Sequence, residues 1–320
     1  MPNRLLPPHL PEEKHASPSM YRAVSNCNRD APCLIEAPHM SKHKRQAFFG
    51  GKKVLVTGAA SGIGKATTLQ LAELGATLII SDLNPEGLEQ TASEARRLGA
   101  SDVDTHIVDV ADWDDMQAMA SKVLKKHGVL DILVNNAGVG MAGDFLSTTV
   151  DDWQWVLGIN VMGVVHGCKL FAPAMVANGR GHIINLASAA GYYAAPDMTA
   201  YSASKHAVMG LSEALRAEMA DKGVGVSAIC PGVINTGIVA SSRMRGSTGQ
   251  AQEKIVEFYR KRNYGPDLVA DAILGAIEHN RAVVPVSPEA WVLYGAKRFT
   301  PGALDFVSRS PMLRRFRPGN

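Results

Sequence analysis

Between residues 52 and 287 the chain alternates short unbroken apolar runs with longer stretches whose apolar residues recur every three or four positions. The runs are KKVLVT (52–57), ATLIISD (76–82), DVDTHIVDV (102–110), LDILVNN (130–136), GHIINLAS (181–188), VGVSAIC (224–230) and RAVVPV (281–286), and each reads as a strand. Helical periodicity fills 64–75, 84–99, 112–128, a long region ending near Asn178, 199–223 and a stretch before the last strand. Asn84 followed by Pro85 marks one helix start, as N-cap and first helical position. Strands that are apolar throughout, separated by helices, predict an α/β fold. Its single doubly wound parallel sheet is covered by helices on both faces, with a ligand site at the C-terminal strand ends.

The flanks follow other rules. Residues 1–47 carry many prolines, little periodicity and the basic end SKHKR, so they are expected to form a disordered extension. Met40 lies just before the ordered part and is a candidate start. Residues 48–287 form the sheet domain, and 288–320 a helical or irregular tail. Within the domain, 234–264 is expected to be a mobile lid. ASSRMRGSTGQAQ (240–252) reads as an irregular hinge, and EKIVEFYRKR (253–262) as a helix with Ile255, Phe258 and Tyr259 on one face.

Composition narrows the classes. Of 320 residues, 46% are apolar and 20% charged, an ordinary globular balance. A formal net charge of +3 gives no reason to expect a nucleic-acid partner. Cys27, Cys33, Cys168 and Cys230 form neither a disulfide framework nor a CxxC pair, and the ten histidines have no ligand spacing, so no metal is expected. No run reads as a bilayer span and the N-terminus lacks a secretory apolar core, so the expected location is cytoplasmic. The tail mixes apolar residues with arginines. It reads as a solvated, partly packed segment, with peripheral docking on a membrane or a neighbouring subunit as the alternative.

Chemistry gathers at the strand ends. Gly58, Gly62 and Gly64 follow the first strand and open a helix, where free N–H groups suit a pyrophosphate; an ordinary tight turn would use the same residues. Asp82 ends the second strand, where a carboxylate can accept from ribose hydroxyls or cap the next helix. Asp109 ends the third, and Asn135–Gly138 the fourth. Tyr201 and Lys205 are four apart on one helix face, and Ser188 ends the strand before them. An ammonium near a phenol lowers its pKa from about 10, which fits the tyrosine to exchange a proton with an alcohol oxygen.

With these motifs in order the chain resembles the short-chain dehydrogenases/reductases over about residues 52–287. TGAASGIG (57–64) is similar to the family's cofactor loop, NNAG (135–138) to its fourth-strand motif, and PGVINT (231–236) to the segment at the nicotinamide end. Asn160, Ser188, Tyr201 and Lys205 match its catalytic tetrad. The resemblance implies a Rossmann-type fold, Tyr201 as acid/base and Ser188 steadying the substrate oxygen. It implies that Lys205 lowers the tyrosine pKa and bonds the nicotinamide ribose, and that Asn160 holds the helix and a proton-relaying water. It assigns NAD(H) to Gly58, Ser61, Gly62, Ile63, Gly64, Asp82, Leu83, Asp109, Val110, Asn136, Ala137, Gly138, Tyr201, Lys205, Pro231, Gly232, Val233 and Thr236. A homodimer or homotetramer acting on a small molecule is expected. The substrate, an apolar secondary alcohol or ketone, is expected to meet 189–198 with Tyr192 and Tyr193, and 233–264 with Met244, Phe258 and Tyr259. The alternative is a non-catalytic dinucleotide-binding sensor or scaffold, whose mark would be the loss of Ser188, Tyr201 or Lys205.

Overall fold

Seven parallel strands run in the order β3-β2-β1-β4-β6-β7-β9 in this computed structural model, which describes residues 40–262, 264–302, Leu304 and Phe306. They are β1 (Lys53–Thr57), β2 (Thr77–Asp82), β3 (Asp102–Ile107), β4 (Ile132–Asn135), β6 (Gly181–Leu186), β7 (Val224–Pro231) and β9 (Val283–Val286). Two short strands, β5 (Met141–Ala142) and β8 (Arg243–Met244), pair with each other in a separate parallel sheet. The helices are α1 (Lys42–Phe49), α2 (Gly62–Glu73), α3 (Pro85–Leu98), α4 (Trp113–His127), α5 (Val150–Leu157), α6 (Gly163–Ala177), α7 (Thr199–Met219), α8 (Ile238–Ser241), α9 (Gly246–Gln250), α10 (Gln252–Arg262), α11 (Pro266–His279) and α12 (Pro288–Phe299).

Successive residues of one strand serve opposite faces, which is why the inner strands are apolar almost throughout, while β3 at the sheet edge is not. Val54 and Val56 join the core packed under α2, α3 and α11, whereas Leu55 joins the core under α4, α6 and α7. The strand order reverses between β1 and β4, and a crevice opens there at the C-terminal strand ends. The fold is the expected Rossmann-type α/β sheet.

The expected strands end early at β3, which stops at Ile107, and at β6, which stops at Leu186; Asp109 and Ser188 therefore sit in the turns beyond. Val150–Ala177 is one helical run of 28 residues, apolar and long enough by composition to cross a membrane, contrary to the sequence reading. Half of it is buried within the domain, and the π-turn Gly158–Met162 interrupts it at Asn160.

Two larger corrections concern segments read as irregular. Residues 42–47 belong to α1, whose Phe49 is buried and whose Arg45 pairs with Asp271 and, at 2.6 Å, with Glu278 on α11. The basic run is tied down by acids over 220 positions away, a partner that local composition does not reveal. Residues 1–39 of the expected extension lie outside the described residues. The stretch 240–252 is likewise ordered, as the end of α8, β8 and α9, because β8 finds a strand partner in β5.

Candidate active site

The glycine loop owes its shape to close packing. Gly58 and Gly62 have positive φ, +68° and +54°. A Cβ on Gly64 would lie 2.1 Å from the Gly58 carbonyl oxygen, so only glycine lets α2 start against the strand. Asn136 braces the loop, donating from Nδ2 to the carbonyls of Thr57 (2.8 Å) and Gly58 (3.1 Å). The N–H groups of Asn136 and Ala137 both donate to Thr57 Oγ1. Ser61 gives α2 no side-chain cap, and the N–H of Lys65 takes the first carbonyl of the helix, that of Ser61. The N–H groups of Gly62, Ile63 and Gly64 are left as donors at the helix start, the array that a pyrophosphate takes.

Asp82 faces this loop. Its Oδ2 accepts from the Ala60 N–H and its Oδ1 from that of Asn84, both at 2.9 Å. Leu83 beside it is 60% exposed. Lys65, the nearest cation in sequence, is paired with Glu94 at 2.8 Å. Asp109 Oδ1 closes its own turn on the Ala111 N–H, and Val110 packs against Gly163, where a Cβ would lie 2.8 Å from Val110 Cγ2. Thr236 lies over Gly62, with 3.6 Å between its Cβ and a Cβ built on the glycine, so the 231–236 segment borders the glycine loop. Gly232 donates to the Val286 carbonyl, and Val233 to Glu289 Oε1 at 2.9 Å. These groups fit a dinucleotide laid across the crevice.

Past β4, Gly138 leaves room for Asn160 and Lys205, two of the residues expected to be catalytic. A Cβ there would stand 3.1 Å from Asn160 Oδ1 and 3.6 Å from Lys205 Nζ. Asn160 is fully buried; it accepts from the Val139 N–H and donates to the Val139 carbonyl and to Ser204 Oγ. Its side chain thus ties the β4 loop to α7. Lys205 donates to the Leu186 carbonyl at 2.8 Å, and its Nζ stands 5.8 Å from the centre of the Tyr201 ring. Ser188 accepts from the Ala190 N–H and donates to the Pro231 carbonyl, and its hydroxyl acts on the Tyr201 phenol in the direction that lowers its pKa. Burial draws the Lys205 ammonium down to about 8. Burial also pushes the Tyr201 phenol up to about 12, against the lowering influence of Ser188. Desolvation is the largest influence on the phenol.

The substrate side matches the sequence reading only in part. Tyr192 is buried, donating to the Ala290 carbonyl and packing edge-on against Tyr294 of α12. Phe258 is 53% exposed, and Tyr259 of the same helix lies within electrostatic range of the Tyr201 phenol. Glu289 escaped the sequence reading; it holds Val233 and, at 2.7 Å, Arg262 at the end of α10. Asp152 and Arg245 escaped it too, since nothing in a helix-capping aspartate foretells a partner 93 positions away. Among the described residues no group of His, Cys, Asp and Glu is arranged to hold a metal.

Comparison with known proteins agrees with this geometry. The chain is 42% identical over 272 residues to the probable oxidoreductase EphD of Mycobacterium tuberculosis, covering 82% of this chain and 46% of that protein. It therefore spans about half the length of that relative. It is 38% identical over 216 residues to estradiol 17-beta-dehydrogenase 11 of Homo sapiens, covering 66% and 72%. A short-chain dehydrogenase/reductase from Burkholderia phymatum, solved with NAD, superposes with a TM-score of 0.73 at 34% identity, covering 82% of this chain and 97% of that one. Residues 52–246 match the family model for short chain dehydrogenase, and the chain belongs to that family of oxidoreductases.

Proposed function

We propose that this protein is an NAD(H)-dependent oxidoreductase acting on an apolar secondary alcohol or ketone, with Tyr201 as its acid/base. The observation that carries the reading is the convergence of Ser188, Tyr201 and Lys205 at the sheet edge beside the glycine loop. Bound NAD(H) supplies the hydride acceptor or donor. Tyr201 passes a proton to the substrate oxygen in reduction, or takes it in oxidation. Ser188 donates a hydrogen bond to the same oxygen and stabilises the charge that develops on it. Lys205, fixed on the Leu186 carbonyl, sets a positive charge beside the phenol when protonated. Asp82 supports NAD over NADP, because its carboxylate faces the loop where a 2′-phosphate would add like charge. An apolar substrate is supported by exposed Phe258 and by the steroid named in the human relative.

A panel of secondary alcohols and ketones with NAD(H) and NADP(H), followed at the nicotinamide absorbance, tests this. Turnover of at least one apolar pair with NAD(H) is expected. Binding of NADH without turnover of any member would leave the sensor reading in its place.

A further inference from the structure

The segment between β7 and α11 is fastened to the body of the domain by charge at two points, Arg262 on Glu289 near its end and a clamp at Asp152 in its middle. Asp152 is 1% exposed, in the first turn of α5. Arg245 reaches it from the far end of β8 with two bonds, Nε to Oδ2 at 2.9 Å and Nη2 to Oδ1 at 2.8 Å. Arg243 stands 3.5 Å from the same carboxylate with its guanidinium stacked 3.9 Å over the Trp155 ring. The Thr149 N–H donates to Oδ2 while the Thr149 hydroxyl accepts from the Asp152 N–H, which completes a capping box. The Arg245 guanidinium holds the Asp152 carboxyl well below the usual carboxylate range, so the clamp stays charged through the neutral range.

The clamp leads on toward the catalytic helix. Arg243 N–H donates to the Gly140 carbonyl and Arg245 N–H to that of Ala142, so the clamp holds β8 in register on β5. The next residue, Gly143, is pressed against the clamp: a Cβ there would lie 2.8 Å from Arg245 Cβ. Gly143 donates to the Asp197 carbonyl at 2.7 Å and bridges Met198. Asp197 is held at φ +61°, and Met198, the N-cap of α7, accepts from the Ser202 N–H one residue past Tyr201.

We propose that Asp152 is a positioning residue for the reaction. By gripping Arg245 it fixes β8 on β5, and through Gly143 that pairing sets the backbone that enters the Tyr201 helix. The chain of contacts joins three segments, 139–149, 189–198 and 233–264, of which the last two are the stretches expected to meet substrate. A loosened clamp therefore costs substrate binding and alignment while the glycine loop, on the other side of the crevice, keeps its hold on NAD(H). The kinetic part of this rests on the hydride-transfer reading above; the coupling itself does not.

The variant to make is Arg245→Met. It leaves the capping box intact, and Arg243 still faces Asp152, so no buried carboxylate is stranded. Amide hydrogen exchange of the protein alone should accelerate by about tenfold or more at 238–250, and also at 141–143 and 197–202, as expected when a locally coupled unit opens. Acceleration confined to 238–250 overturns the proposal. With a substrate the wild type turns over, KM should rise about tenfold or more while the NADH Kd from fluorescence stays nearly unchanged. An unchanged KM, or an equal loss of NADH binding, also overturns it. Arg245→Lys keeps the charge without the fork; it should fall between the two in both readouts, and it serves alone should Arg245→Met fail to fold. Should the wild type turn over no alcohol or ketone, the hydride-transfer reading fails and the exchange at 197–202 still decides the coupling.

Discussion

The Lys205 ammonium donates to the Leu186 carbonyl at 2.8 Å, so the last residue of β6 sets where the positive charge of the site stands. The Tyr201 ring lies on the same face of α7, one turn earlier, with its centre 5.8 Å from that charge. The sheet thus holds the lysine, and the helix holds the tyrosine against it.

Replacing Tyr201 with Phe removes the hydroxyl and keeps the ring that covers Lys205. Turnover should fall by about 10²–10⁴-fold, the usual worth of general acid–base catalysis, with the NADH Kd nearly unchanged. Lys205→Ala should damage both turnover and NADH binding. Steady-state rates and NADH fluorescence titration check this. A Tyr201→Phe enzyme keeping more than about a tenth of the wild-type rate would remove the acid/base role from Tyr201.

Burial lowers Lys205 from its usual value to about 8, and this fixes the sign of a pH effect on stability. Between that value and the higher unfolded one, the unfolded chain binds more protons than the folded one, so Lys205 makes stability rise with pH. Buried Cys168 and Cys230, both pushed upward by desolvation, act in the opposite sense once unfolded thiols ionise near pH 9. The lysine's contribution should therefore show between about pH 8 and 9. Lys205→Met should lose this rise; melting curves of both proteins across that window measure the difference. Parallel pH profiles would mean that Lys205 titrates normally.

Asp82 should set the dinucleotide preference. The wild type is expected to prefer NAD over NADP in kcat/KM by about 100-fold or more, since juxtaposed like charges cost several kcal/mol. Lys65 offers a 2′-phosphate little help, because it is paired with Glu94. Asp82→Ser with Leu83→Arg should move the ratio toward NADP. It should also weaken NAD, because Asp82 Oδ2 holds the Ala60 N–H of the glycine loop. A wild-type preference for NADP would refute the assignment.

The parts of this protein that could be read from sequence are those in which neighbours in the chain are neighbours in space. The sheet was legible because all its strands but β3 are largely buried runs bounded by turn residues, and the glycine loop because its three glycines fall within seven residues. Tyr201 and Lys205 were legible because a helix puts residues four apart on one face. What was missed depends on distant partners. SKHKR looks solvated until Glu278 is placed beside Arg45, and 240–252 looks irregular until β8 meets β5. The packing of Tyr192 on α12 was missed for the same reason: its partner there lies about a hundred residues on.

The N-terminal helix supplies the last prediction. Arg45 sits between Asp271 and Glu278 of α11, and the Glu278 side chain has 0% exposure. Arg45→Met leaves that buried carboxylate without its cation, a change that costs about 3–5 kcal/mol. Phe49→Ala should cost a similar amount, about 3–5 kcal/mol, since Phe49 is a fully buried aromatic side chain. At about 2–4 °C per kcal/mol for a large domain, either variant should lower the melting temperature by about 6–20 °C. Two truncations separate the helix from what precedes it: a chain beginning at residue 42 should melt well above one beginning at residue 50. The double variant Arg45→Met with Glu278→Gln should recover much of the single-variant loss, because it leaves no unpaired charge at that position. Recovery would trace the cost to the stranded carboxylate. An Arg45→Met protein melting within a degree of wild type would mean that α1 only rests on α11 and holds nothing.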